Sequence, residues 1–96
     1  MNKLKHYKMF INGEWVESES KKTFETLNPE NNEPWAVVPE ASAKDVDKAV
    51  KAAQKAFEGE WPKLLPRERA KCLRAIGDQL RQNAEMLGEI ETIDTG

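Results

Sequence analysis

The stretch Lys8–Ser18, "KMFINGEWVES", decides how the first part of the chain folds. Asn12-Gly13 stands between two apolar pairs, and this dipeptide favours the type I′ turn, whose twist matches that of a two-stranded antiparallel hairpin. Two more extended segments follow, "KTFETLNP" and "WAVVPE". They stop at Pro29 and Pro39, because proline cannot continue a strand ladder. The first forty residues therefore predict short strands joined by turns.

The second part of the chain has helical spacing. Ser42 and Asp45 form a capping box that predicts a first helix, and Gly59 ends it. Pro66 opens a second helix, and Asn83 is expected to cap a third. The side chains expected to face inward are Val46, Ala49, Val50, Ala53 and Phe57 in the first helix, Leu73, Ile76 and Leu80 in the second, and Met86, Leu87, Ile90 and Ile93 in the third.

The predicted fold of the isolated chain is α+β, with a strand and turn region in residues 1–40 and an antiparallel set of three helices in residues 41–96. We treat residues 1–96 as one unit. Because Leu73 starts the longest apolar stripe, Leu73→Asp is expected to unfold or aggregate the chain. Gly77 lies inside that stripe, where glycine costs about 1 kcal/mol relative to alanine, which indicates close packing with a neighbour.

Composition and charge exclude several classes of protein. Fifteen basic and seventeen acidic residues give a net charge of −2, so no electrostatic footprint for nucleic acid or an anionic membrane is present. No apolar run approaches the roughly 20 residues that cross a bilayer. Cys72 is the single cysteine, which suits a reducing compartment, and we expect a cytoplasmic protein.

The residue types that usually bind phosphate or metal, or act as nucleophiles, form no recognisable site in this sequence. The chain has no phosphate-binding glycine loop and no Cys–His spacing typical of zinc sites. His6 lies beside lysines near the terminus and is interpreted as inert. Cys72 lies in mid-helix without a base nearby, so we interpret it as a buried or half-buried structural thiol. The tryptophans, which are interpreted as core and interface anchors, are Trp15, Trp35 and Trp61.

Asp94 differs from the other carboxylates. It lies in "ETIDTG", residues 91–96, at the end of the third helix. A carboxylate faces the negative end of the helix dipole there, so it either points into water or has a partner such as a lysine or a bound cation.

Taken in order, these motifs resemble the N-terminal segment of the aldehyde dehydrogenase superfamily, in the branch that includes betaine-aldehyde and related small-aldehyde enzymes. The matching pieces are "FINGEWVES", "FETLNP", the capped helix, "PRERAKCLRAIGDQL" and "ETIDTG". The resemblance runs from about Lys8 to Gly96. It implies that the chain is the opening of a longer enzyme, with Gly96 as a truncation point and this segment as part of an α/β Rossmann-type cofactor domain.

The resemblance also implies a function. The intact enzyme would be an NAD(P)-dependent aldehyde dehydrogenase, in which a thiolate attacks the aldehyde, hydride passes to the cofactor and the thioester is hydrolysed. The family's catalytic cysteine, general-base glutamate and nucleotide-contacting residues have no counterpart in this chain, so no catalytic or cofactor-binding residue is predicted and the isolated chain is expected to be inactive. The remainder of the enzyme is the expected partner, in a homo-oligomer.

One site is implied by the resemblance alone. Many family members hold a structural monovalent cation, Na⁺ or K⁺, and the matching positions here are the carbonyls of Thr26 and Leu27 with the carboxylate of Asp94. A hypothesis of another class is also open: a free-standing interaction or self-associating module whose apolar helix faces dock on a partner. A nucleic-acid role is a weak third, because the net charge is −2.

Overall fold

Five short strands precede three helices, in a computed structural model that describes residues 4–96. The strands are β1 (Lys5–His6), β2 (Met9–Ile11), β3 (Glu14–Val16), β4 (Thr23–Asn28) and β5 (Glu33–Pro39). The helices are α1 (Ala43–Glu58), α2 (Pro66–Gln82) and α3 (Ala84–Thr95), with a short 3-10 turn at Trp61–Lys63. This order confirms the predicted α+β class.

The β2–β3 hairpin forms where the sequence predicts it. Asn12 and Gly13 have φ of 53° and 78°, the left-handed values that a type I′ turn requires. Phe10 pairs with Trp15 across the two strands, and their ring centroids lie 4.8 Å apart. Both rings stay exposed, so the hairpin is stabilised by this cross-strand pair more than by burial.

A separate three-stranded sheet carries the buried core. Its strand order is β1-β5-β4, in which β4 runs antiparallel and β1 parallel to β5. Ala36 and Val37 of β5 are the buried apolar residues within positions 4–96. The parallel strand β1 was not predicted, because "LKHYK" has no strand periodicity. Backbone pairing with β5 places it there, and the N–H of Tyr7, the next residue, donates to the Val37 carbonyl at 2.9 Å.

The capping box of α1 is confirmed and does more than cap the helix. The Ser42 N–H donates to Asp45 Oδ2 at 2.8 Å, and the Asp45 N–H donates to Ser42 Oγ at 3.2 Å. The Glu19 N–H also donates to both carboxylate oxygens, at 3.1 and 3.2 Å. Asp45 is only 4% exposed, so this carboxylate joins the loop after the hairpin to the start of α1.

The start of α2 agrees with the prediction from the sequence, whereas the predicted cap of α3 does not form. Pro66 begins α2 as predicted, and Glu68 accepts the Leu65 N–H at 2.9 Å. Asn83 begins α3 without a side-chain cap. Its side-chain amide instead donates to the Gln79 carbonyl at 2.9 Å, so it closes α2.

The expectation that apolar helix faces point inward is wrong for α1 and α2. The stripes of α1 and α2 stay exposed, from 54% at Val46 and Leu80 to 71% at Phe57. Helix α3 packs on β4, and α1 lies beside the hairpin, so the helices do not enclose a common core. The molecule is a slab with extents of 49 × 34 × 19 Å. In residues 4–96, no helix combines the length and apolar character needed to cross a membrane.

Candidate functional site

The predicted cation-site residues lie where α3 meets β4. The Thr26 hydroxyl donates to Asp94 Oδ1 at 2.9 Å, which joins two residues 68 positions apart. Leu27 is the next residue of β4, so all three positions that the family resemblance indicates lie at one junction. Asp94 is exposed at the surface of the chain, whereas Thr26 is half-buried.

Gly96 allows α3 to end against the turn that follows β4. Its φ is 78°, in the left-handed region, and its N–H donates to the Thr92 carbonyl at 2.9 Å. A Cβ at Gly96 would lie 3.6 Å from Pro29 Cβ, which is ordinary van der Waals contact. The glycine predicted from the sequence therefore ends α3 beside Pro29, which follows β4.

The partner of Asp94 within the chain is a neutral hydroxyl. The carboxylate lies in the last turn of α3, where the helix dipole is unfavourable to negative charge. The local sequence suggested a lysine, a cation or water. The family resemblance placed the Thr26 carbonyl near Asp94, but nothing in the sequence indicated a hydrogen bond from the Thr26 hydroxyl, because the two residues meet only through tertiary structure. The hydrogen bond occupies Oδ1, and no other residue within positions 4–96 donates to Oδ2.

The backbone of β4 is irregular at the same place. The register shifts between Thr26 and Leu27, since Thr26 pairs with Ala36 and Leu27 pairs with Pro34. Pro34 has no N–H, so this pair cannot exchange two ladder hydrogen bonds. The Leu27 carbonyl thus lies beside a residue that cannot donate to it.

The oxygen atoms at this junction, two backbone carbonyls and the Asp94 carboxylate, suit a hard cation of low charge. Carbonyl and carboxylate oxygens are the ligands that such ions prefer. No group of three or more His, Cys, Asp or Glu side chains in residues 4–96 could hold a metal, so a cation here would depend on backbone carbonyls with Asp94. The fit to Na⁺ or K⁺ remains a prediction for this site.

An apolar cleft of about 380 Å³ borders the Thr26–Asp94 pair. Phe24 and Trp35 of the sheet line one side, and Ile90 of α3 lines the other. The Trp35 indole Nε1 is buried without a hydrogen-bond acceptor in residues 4–96. Tyr7 packs edge-on against the same indole, with 6.2 Å between ring centroids.

The cysteine, the tryptophans and the histidine were also interpreted from the sequence, and the structure agrees with only some of these interpretations. Cys72 is exposed, so the expected burial of its thiol is wrong, because nothing in residues 4–96 covers that side of α2. Trp35 packs in the sheet as predicted, whereas Trp15 and Trp61 are 68% and 43% exposed. His6 is part of β1 and pairs with Val37, so it is held in the sheet.

The fold agrees with the comparisons to known proteins. The model of the aldehyde dehydrogenase family matches residues 15–96. The chain therefore belongs to the aldehyde dehydrogenase family, and the resemblance seen in the sequence is confirmed. It is 48% identical over 88 residues to an aldehyde dehydrogenase of Aspergillus niger, covering 92% of this chain and 18% of that protein.

Solved structures of aldehyde dehydrogenases share the backbone fold of this chain. The NAD⁺ complex of a Bacillus cereus aldehyde dehydrogenase has a TM-score of 0.90 at 44% identity, over 96% of this chain and 19% of that one. Betaine aldehyde dehydrogenase of Staphylococcus aureus, also in complex with NAD⁺, has a TM-score of 0.88 at 42% identity, over 93% and 18%. This chain thus spans about a fifth of the length of the proteins that it matches.

Proposed function

We propose that this chain is the N-terminal part of an NAD(P)-dependent aldehyde dehydrogenase that oxidises an aldehyde to a carboxylic acid. The observation that carries the proposal is the family match over residues 15–96 together with the shared backbone of the NAD⁺-bound Bacillus cereus enzyme. Oxidation removes a hydride from the substrate, which the nicotinamide cofactor accepts.

The contribution of this chain is a scaffold, and residues 1–96 form one structural portion of the enzyme. Its one cysteine, Cys72, is exposed in the middle of α2, away from the helix N-terminus that would favour a nucleophilic thiolate. Its one histidine, His6, is held in the sheet. The reactive thiol and the general base are therefore expected in the remainder of the enzyme, and the 96 residues alone are expected to be inactive.

A hybrid enzyme tests this proposal, in which the present chain replaces the matched segment of the Bacillus cereus enzyme. We expect the hybrid to form NADH from NAD⁺ only when an aldehyde is present, and the isolated chain to form none. The unmodified Bacillus enzyme is the control. A soluble hybrid with native secondary structure and no turnover would contradict the proposal, as would turnover by the isolated chain.

We also propose that the carbonyls of Thr26 and Leu27 and the carboxylate of Asp94 bind Na⁺ or K⁺ in the intact enzyme. The support is the Thr26–Asp94 hydrogen bond of 2.9 Å and the missing donor at Pro34. By donating to Oδ1, the Thr26 hydroxyl orients the carboxylate while its own carbonyl serves as a ligand.

The thermal stability of the hybrid in different salts tests the cation site. A bound ion stabilises the folded state by about 1.4 kcal/mol at ten times its Kd, so Tm should be higher in Na⁺ or K⁺ than in N-methylglucamine at equal ionic strength. Asp94→Asn should abolish this difference. Asp78→Asn is the matched control, because it removes an exposed carboxylate that pairs with Arg81 on α2. An equal salt response in both variants would exclude Asp94 as a ligand.

The enzyme is further proposed to work in the cytoplasm as a homo-oligomer. A single exposed cysteine suits a reducing compartment, and the oligomer is an expectation from the family resemblance. Fluorescence microscopy of the tagged protein and light scattering of the hybrid test the two statements. An organellar signal or a monomeric, active hybrid would contradict them.

A further inference from the structure

The tip of the β2–β3 hairpin leaves an asparagine side chain and the peptide nitrogen after it without partners. The Asn12 side chain and the Gly13 N–H make no hydrogen bond to any residue in positions 4–96. Both residues are exposed, and a Cβ at Gly13 would meet no atom within 4 Å. Neither group therefore has to break a hydrogen bond to a protein partner before it reacts.

The other asparagines of the described chain differ from Asn12 in this respect. Asn28 precedes a proline, whose nitrogen carries no proton. The peptide nitrogens after Asn31 and Asn32 donate at 2.7 and 3.0 Å to acceptors in the turn between β4 and β5. The Asn83 side-chain amide donates to a carbonyl of α2 at 2.9 Å. Within positions 4–96, Asn12 is therefore the one asparagine whose side chain and following nitrogen both lack a partner.

We propose that Asn12 deamidates spontaneously when the hairpin opens, through attack of the Gly13 backbone nitrogen on the Asn12 side chain. The nitrogen loses its proton to a base in the solvent and forms a bond to Asn12 Cγ. The bond from Cγ to Nδ2 then breaks, and the side-chain nitrogen takes up a proton from water and leaves as ammonia. Water opens the resulting succinimide ring at either carbonyl, which yields aspartate or isoaspartate without any change in oxidation state. Gly13 favours the attack because it has no Cβ to hinder it.

The closed turn prevents this reaction. In a type I′ turn, the nitrogen of the second central residue points away from the side chain of the first, and the φ values of 53° and 78° at Asn12 and Gly13 are those of such a turn. The hairpin is a separate two-stranded sheet, a unit of marginal stability in water. Its cross-strand aromatic pair, Phe10 and Trp15, has ring centroids 4.8 Å apart. This pair therefore limits how often the turn opens and Asn12 reacts.

The two products have different effects on the hairpin. Aspartate keeps the turn, because Asp-Gly favours type I′ as Asn-Gly does. Isoaspartate carries the main chain through the side-chain carbon and lengthens a two-residue loop, so Phe10 and Trp15 lose their register. Either product adds a carboxylate to a cleft of about 450 Å³ that Asn12 shares with Lys48 and Lys55 of α1. The net charge of the chain changes from −2 to −3, since one neutral amide becomes one carboxylate.

Ageing of the 96-residue chain and of the hybrid enzyme in mildly alkaline buffer tests the proposal. The tryptic peptide Met9–Lys21 holds Asn12 as its single asparagine, so mass spectrometry follows its conversion, and enzymatic methylation of the free carboxyl detects isoaspartate. We expect Asn12 to convert several-fold faster than Asn31, Asn32 or Asn83, with isoaspartate among the products. Asn12→Asp, which keeps the turn but has no amide to lose, is the blank. Equal rates at these asparagines, or an intact Asn12 beside converted ones, would overturn the proposal.

Two tryptophan substitutions test the dependence on hairpin opening. Trp15→Val removes the ring opposite Phe10 and keeps a residue that favours strands, so Asn12 should convert about two- to tenfold faster than in the unchanged chain. Trp61→Val removes another partly exposed indole, in the 3-10 turn after α1, and should leave the rate unchanged. In denaturant the three proteins should convert at one rate, because the hairpin is open in each. No acceleration by Trp15→Val, or the same acceleration by Trp61→Val, would contradict the proposed dependence on the hairpin.

Discussion

The contacts of Asp45 show which interactions of a single residue can be predicted from the sequence. Its place in a capping box with Ser42 follows from the local sequence, and the structure confirms it. Its bonds to the Glu19 N–H, 26 positions earlier, have no local signal. Short-range hydrogen bonds follow from spacing, whereas the long-range ones depend on how the hairpin and α1 are brought together. The same holds for Asp94, whose partner Thr26 is 68 positions away.

The stability of the chain should fall in acid because of Asp45. Above all, the Ser42 N–H holds the pKa of this carboxyl below its ordinary value; burial acts in the opposite direction, and the Glu19 N–H, the Ser42 hydroxyl and Lys48 add to the lowering. The stabilisation is therefore complete above the ordinary carboxyl pKa and is lost as the pH falls through the lower folded-state value. Urea unfolding across this pH range measures it.

Substitutions distinguish the contribution of the Asp45 carboxylate to stability from that of an exposed carboxylate. Asp45→Asn should lower the free energy of unfolding at neutral pH and flatten its dependence on acid. Ser42→Ala removes the hydroxyl that caps α1 and donates to Asp45, keeps the Ser42 N–H, and should cost about 1 kcal/mol. Asp47→Asn is the control, because Asp47 is exposed and pairs only with Lys51 at 2.9 Å. If Asp45→Asn and Asp47→Asn had the same acid profile, the role assigned to Asp45 would be wrong.

At the scale of elements, the sequence predicted where helices lie better than what they face. The bounds of α2 and its apolar spacing are as expected, but Leu73 is 62% exposed. Leu73→Asp should therefore not unfold the isolated chain by loss of packing, contrary to the expectation from the sequence. Periodicity identifies an apolar face, and only the rest of the structure shows what covers it.

Gly77 gives a prediction that distinguishes the isolated chain from the intact enzyme. A Cβ at Gly77 meets no atom within 4 Å, so no close neighbour explains the glycine in residues 4–96. Gly77→Ala should stabilise the isolated chain by up to about 1 kcal/mol, because alanine is the better helix former. In the hybrid enzyme, close packing on α2 would reverse the sign.

Gly88→Ala on α3 is the matched control for this substitution. Gly88 is also helical and has no atom within 4 Å of a Cβ. Thermal unfolding of both variants in both contexts gives the comparison. Stabilisation by Gly77→Ala in the hybrid as well as in the isolated chain would show that no segment packs closely at that position.

For the whole molecule, the class of fold was predictable and its compactness was not. Strand and helix regions follow in the expected order, but the sheet includes a parallel strand, β1, that polar sequence does not indicate. The family match explains why local patterns and overall packing disagree. Relatives such as the Aspergillus niger enzyme are about five times as long, and a chain of 96 residues buries too small a share of its surface to cover every apolar helix face.

The isolated chain should consequently unfold without a single cooperative transition. The sheet buries only Ala36 and Val37 as apolar residues in positions 4–96, and α1 and α2 share little of that core. The urea m-value should be below about 1 kcal/mol/M, because little surface becomes exposed. Tryptophan fluorescence, to which Trp35 in the sheet contributes, and circular dichroism of the helices should give different midpoints. In the hybrid enzyme the two midpoints for this segment should coincide if the rest of the enzyme packs on the exposed helix faces and joins them to the sheet. Coincident, steep transitions in the isolated chain would show instead that the 96 residues form a self-sufficient domain.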